Sequence, residues 1–273
     1  MAFSDYATAG SARALGEIAA LTERRVRHLR RAPGRLIGVA LNPLVMLVAV
    51  GYLFRGAITA PPGSRGGYVG YLMAGICVQV ALAGLGPGAM SVALDLRTGL
   101  IDRLRTMPIT RSAVLVSHAL GDLLVGVGVL LLVSATGLLM GWRPHGSPFA
   151  IAAGFLLVAG FVFGMTWVGI TLGATVGNPE SIESIGALAL VLLTFVSDAV
   201  FPAADMPVWL RPVIDWSPVS AVADACRSLW GSMPSGAHGF PAQHALAVAL
   251  VWTAVLFLVG VALAGRRFRA AGA

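Results

Sequence analysis

DLRTGLIDRLRTMPITR, residues Asp95 to Arg111, is a compact charged island set between two long apolar runs. Leu96, Leu100, Ile101 and Leu104 recur at helical spacing and form one apolar face, with Arg97, Asp102, Arg103 and Arg105 largely off it. Pro108 then stops the pattern, since proline has no N–H to donate. The island reads as a short amphipathic helix at a membrane–water boundary, because the sequence around it is that of a membrane protein. Hydrophobic residues make up 57% of the chain and charged residues 11%; a soluble domain carries roughly 25% charged residues.

Six apolar runs meet or approach the length of about 20 residues that crosses a bilayer as helix. They cover Leu36–Phe54, Tyr68–Met90, Ala113–Gly141, Ala150–Val176, Ile185–Val200 and Ala245–Ala264. All 19 basic residues are Arg. With both termini inside, 14 of them fall in cytoplasmic segments and 5 outside, so the positive-inside rule places the termini and the Asp95 island in the cytoplasm. Residues 1–34 form a unit of their own: Leu15, Ile18, Thr22, Val26 and Leu29 make an apolar stripe beside Arg24, Arg25, Arg27, Arg30 and Arg31. That pattern predicts an interfacial helix against anionic lipid, ended by Pro33 and Gly34. Residues 35–273 form the six-span domain. The expected fold is thus an all-α polytopic membrane protein.

Several chemistries are excluded. A P-loop and a Schiff base both need Lys, and the sequence has none. GLGPGAM, Gly84 to Met90, sits in an apolar run without the GK[ST] ending, and small residues there suit close helix packing. Cys77 and Cys226 are isolated, and the five His show no metal-ligand spacing, so neither a disulfide framework nor a metal site is expected. The net charge of +7 is explained by Arg at the ends of apolar runs, which argues against nucleic acid.

A resemblance supplies what spacing alone does not. Asp95, Gly99, Arg103, Leu104, Pro108, Ile109 and Arg111 match the pattern acid-x-x-x-Gly-x-x-x-Arg-Leu-x-x-x-Pro-[Ile/Val]-x-Arg. Asn42-Pro43, NPES from Asn178 to Ser181, and FVSDAVFPAADMPVWLRPVIDWSPVSAVADACRSLWG from Phe195 to Gly231 continue it in order. Together these resemble the type-2 ABC exporter permeases, of the daunorubicin-resistance kind. Asp198 departs from that pattern, where a small or amide residue is commoner, and so does Ser217, where Asn often precedes the Pro.

The resemblance implies a non-catalytic permease subunit exporting an amphipathic drug, antibiotic or natural product. Two ATP-binding cassette subunits would hold ATP and Mg, with no cofactor on this chain, and a second permease, identical or homologous, would complete the membrane core. The island would be the coupling helix between spans two and three, through Asp95, Gly99, Asp102, Arg103, Leu104 and Pro108. Glu180 and Glu183, one turn apart, would be a second contact with the ATPase or a helix N-terminal charge pair. Phe201 to Gly231, broken by Pro202, Pro207, Pro212 and Pro218, would form re-entrant helices between spans five and six. Asn42, Asp198, Phe201 and Trp209 are candidates for the substrate path, Trp209 and Trp216 also suiting an interface belt. A lipid or glycan-lipid cargo is the alternative within the same superfamily. From a different class, His118, Asp122 and Asp198 would serve a proton-coupled secondary transporter. The Ala-, Gly- and Arg-rich usage points to a bacterial plasma membrane.

Overall fold

A computed structural model describes residues 33–53, 66–97, 111–202, 206–234 and 239–270. The expected interfacial helix of residues 1–34 lies almost entirely outside these, as do Gly99, Asp102, Arg103, Leu104 and Pro108 of the island. The described chain is helical: α1 (Pro33–Val48) ending in a π-turn (Ala49–Leu53), α2 (Gly67–Ala83), α3 (Leu85–Arg97), α4 (Arg111–Leu139), α5 (Pro148–Val176), α6 (Pro179–Phe195), α7 (Arg211–Asp215), α8 (Pro218–Trp230), α9 (Phe240–Gln243) and α10 (Ala245–Ala270).

Among the described residues, four stretches are long and apolar enough to cross a membrane: Gly67–Asp95, Leu115–Leu139, Pro148–Val176 and Ala245–Arg267. Ile37–Leu53 is a shorter apolar helix, and α6 has 17 residues. The centre of the bundle is α2. Every residue from Tyr68 to Leu82 is buried, as a helix apolar on all sides requires. It packs against α1, α4, α5 and α8, and Leu72, Met73, Ile76 and Val78 meet Leu47, Val133, Phe161 and Trp230 in one apolar core. By contrast α10 leaves Leu250, Val251, Leu258 and Val259 exposed along its length, a surface suited to lipid.

Two boundaries differ from the sequence expectation. The second run does not stop at Met90: after a break at Gly84 the helix resumes as α3 and continues through Arg97, so Asp95 and Arg97 close this helix rather than open a separate one. The break has a local cause, because Pro87 leaves the carbonyl of Ala83 without its helical partner and its ring crowds that turn. The fifth run ends early. Its helix stops at Phe195, and Val196 to Phe201 turn irregularly through the core.

The turn from α5 to α6 follows directly from its residues. Gly177 adopts the left-handed conformation that ends a helix (φ 64°), Asn178 accepts a bond from the Glu180 N–H with its side chain, and Pro179 occupies the first helical position. Three successive residues thereby end one helix and start the next.

Close backbone approach holds α3 on α5. A Cβ on Gly173 would lie 2.2 Å from the carbonyl oxygen of Ala89, so only glycine permits the contact. Gly173→Ala is expected to cost about 1–3 kcal/mol through forced separation of the two helices, read as a lowered unfolding midpoint of the detergent-solubilised chain.

Candidate functional site

Three arrangements concentrate polar chemistry in this apolar bundle. One lies at the end where α3 stops, one in a cleft beside the α2–α3 break, and one at the opposite end, where α8 is buried.

At the first, His118 on α4 meets Asp95 on α3, with Nε2 2.9 Å from Oδ2, while its Nδ1 lies 3.4 Å from the Ser91 hydroxyl. The pair spans residues 95 and 118 and so joins the two helices that flank segment 98–110. His118 and Asp122 lie one turn apart on α4, as the sequence suggested, and Asp122 is buried near Gly88 of α3. The imidazole also reaches across to a different helix. Asp95 thus ties the last turn of α3 to α4 through His118.

The cleft has a volume of about 400 Å³ and lies between α1, the α2–α3 break and α6. Its walls include Gly38, Leu82, Pro87, Met90 and Leu190, and its polar side chains are those of Asn42 and Glu183. Asn42 accepts a hydrogen bond from the Gln79 side chain at 3.3 Å, which ties α1 to α2. The structure therefore brings together Asn42 and Glu183, which the sequence had assigned to different roles. Glu180 is exposed in the first turn of α6, where the N-terminal dipole favours its charge, but the cap itself is Asn178.

At the opposite end Arg227 is fully buried. Its Nη1 donates to Asp198 Oδ2 at 2.7 Å and to Asp224 Oδ1 at 2.8 Å, and its Nη2 donates to the Asp198 carbonyl at 2.7 Å. The guanidinium lies 3.7 Å from the centre of the Tyr71 ring, a cation–π contact. Tyr71 in turn donates to the Asp198 carbonyl at 2.8 Å, and Tyr68 to that of Val200 at 3.2 Å. Ser220 accepts from the Asp198 N–H. Beyond Val196, whose N–H still bonds the Leu192 carbonyl, the segment leaves helical pairing, and α2 and α8 supply partners to Asp198, Ala199 and Val200. Gly75 completes the fit: a Cβ there would lie 1.7 Å from the Ala199 carbonyl oxygen.

Asp198 is thus held against Arg227 in the interior. Phe201 is half-buried and stacks on Phe195, with ring centroids 6.2 Å apart. Trp209 is 76% exposed and Trp216 54%. Sequence reasoning did not single out Arg227, Asp224 or Tyr71 as site residues. The available signal was a lone Arg amid Ala, Val and Cys in the α8 segment, since a charge in an apolar helix demands a partner.

The chain belongs to the ABC-2 type transporter membrane family, whose model matches residues 16–230. It is 31% identical over 220 residues to the daunorubicin resistance ABC transporter permease protein DrrB1 of Streptomyces coeruleorubidus, covering 80% of this chain and 77% of that one. Over 220 residues it is 27% identical to the putative transport permease ycf38 of Pyropia yezoensis, covering 80% and 75%. Over 232 residues it is 26% identical to the probable doxorubicin resistance ABC transporter permease protein DrrC of Mycobacterium tuberculosis strain ATCC 25618 / H37Rv, covering 82% and 78%. It is therefore a membrane transport permease related to drug-resistance permeases.

Arg227→Met leaves the buried Asp198 and the half-buried Asp224 carboxylates without their counter-charge. The expected loss is about 3–5 kcal/mol, seen as degradation in the membrane or a collapsed midpoint in detergent. Arg227→Lys keeps the charge but not the fork of donors and is expected to fall between.

Proposed function

We propose that this chain is the membrane subunit of an ATP-driven exporter that moves an amphipathic compound out of a bacterial cell across the plasma membrane, with ATP and Mg on two separate ATP-binding subunits. The observation that carries the cargo assignment is the cleft beside the α2–α3 break: mostly apolar walls take a ring system or acyl chain, while Asn42 and Glu183 offer a hydrogen bond and a negative charge to a polar or cationic end. In this reading the chain crosses the membrane six times with both termini inside, α1 and α6 completing the four longer spans, α7 and α8 dipping back from the outer face, and Trp209 and Trp216 in the outer headgroup layer. A second permease, identical or homologous, would close the cleft from the open side.

Coupling would run through the island. Closure of the ATPase dimer would press on Gly99, Asp102, Arg103, Leu104 and Pro108, and Asp95 with His118 would pass the shift to α3 and α4 together. Glu180 and Glu183 at the head of α6 would form the smaller contact on the same face. The absence of Lys supports placing nucleotide chemistry on another chain. Binding energy shifts the inward and outward populations only by the difference in affinity between them.

Gentle purification of the tagged chain from its native membrane, followed by mass spectrometry, is expected to recover an ATP-binding subunit. Combined substitution Asp102→Ala, Arg103→Ala and Leu104→Ala is expected to remove most of that subunit while the permease stays in the membrane. Leu190→Trp, which fills the cleft, is expected to lower export severalfold with recovery of the subunit unchanged. A chain that purifies alone and drives proton-dependent uptake in vesicles would overturn the assignment.

A further inference from the structure

The Arg227 cluster contains two carboxylates and one guanidinium. Arg227 is wholly buried, and the Asp198 and Asp224 side chains are 12% and 19% exposed. Asp198 Oδ2 is taken by Arg227, but its Oδ1 is buried without a hydrogen-bond partner. Both carboxyl groups accept from the same nitrogen, Arg227 Nη1, at 2.7 and 2.8 Å, so the two accepting oxygens are held beside each other.

The remaining groups that face the cluster do not balance it. From α2 come the Tyr68 and Tyr71 hydroxyls, both donating to backbone carbonyls; from α8 comes the Ser220 hydroxyl, which accepts from the Asp198 N–H. From α7, Asp215 is near enough to Asp224 for their charges to repel, and Arg211 opposes that effect at Asp215 itself. With both cluster carboxylates ionised, a buried site would carry one uncompensated negative charge and one unsatisfied oxygen, an arrangement that costs several kcal/mol in a medium of low dielectric. Two acids sharing one site relieve this by keeping a single proton between them.

We infer that Asp198 and Asp224 together form a binding site for one proton, and that the proton-filled site is the closed form of the clamp joining the Val196–Phe201 segment to α2 and α8. No covalent bond is made beyond the O–H. The proton enters as the charge of the cluster goes from minus one to zero, and leaves to water on the Asp224 side, the more open of the two. Linkage fixes the sign. A proton held when closed and released when open stabilises the closed clamp at low pH, and that contribution is lost as pH rises. The inference depends neither on the compound moved nor on the face of the membrane at which this end lies.

Hydrogen-exchange mass spectrometry tests it on the full chain, purified with its native partners into lipid nanodiscs. Peptides covering residues 196–202 and 218–231 are compared between ~pH 5.5 and ~pH 8.5, after correction for the intrinsic exchange rate. Protection in the wild type is expected to fall with rising pH by up to about tenfold per unit. Asp198→Asn and Asp224→Asn each remove the excess charge and are expected to flatten that dependence while protection remains. Equal protection at both pH values in the wild type overturns the inference, as does an unaltered pH response in the variants. Should Asp198→Asn fail to fold, Asp224→Asn alone decides.

Discussion

Satisfaction of one buried guanidinium organises a whole end of this molecule. Arg227 projects from a short helix into a region without bulk water, where each of its donors must find an acceptor or cost free energy. It finds them on three elements at once: its own helix through Asp224, the segment after α6 through Asp198 and its carbonyl, and α2 through the face of Tyr71 and its backbone. Arg227 thereby takes the Asp198 and Ala199 carbonyls of the segment Val196–Phe201, which helical pairing no longer uses. Tyr68, Tyr71 and Gly75 recur along one face of α2, so a single helix face serves as donor, ring platform and gap for that segment.

The other end works by different means. There the chain turns on Gly177, Asn178 and Pro179, and α3 touches α5 backbone to backbone. Between the two ends, Pro87 breaks the central helix, and the cleft opens beside that break, with Gly86 close to Gly186 of α6. A proline that relaxes one helix therefore makes the room that two others leave unfilled.

How much of this was legible varied with sequence distance. The helical membrane class follows from local composition, and four of the six runs are helices of membrane-crossing length among the described residues. The end of the second run was misplaced because Asp95 and Arg97 looked like the start of a new polar helix. Charged side chains are tolerated in the last turn of a membrane helix, and Asp95 there has His118 as a partner 23 residues on. The fifth run was extended to Val200 because Val196, Ala199 and Val200 are apolar; what bends the chain is an arginine 29 residues beyond Asp198. Asn42 and Glu183 belong to one cleft only after α1 and α6 have been packed on either side of α2, and no local pattern announces that.

The contact between Arg227 and the backbone of Tyr71 spans 156 residues of chain. A ribosome adding about 5–20 residues per second separates the arrival of those two residues in the membrane by roughly 8–30 seconds. Through most of that interval α2, which is sealed on every side in the finished molecule, must wait among lipids or membrane insertion factors with two tyrosine hydroxyls unmet. The central helix is among the first spans made and is enclosed only when α8 arrives. The lock of this permease is therefore closed late, at the moment α8 delivers its arginine, and a chain truncated just before that point has α1 to α6 but neither the lock nor α10.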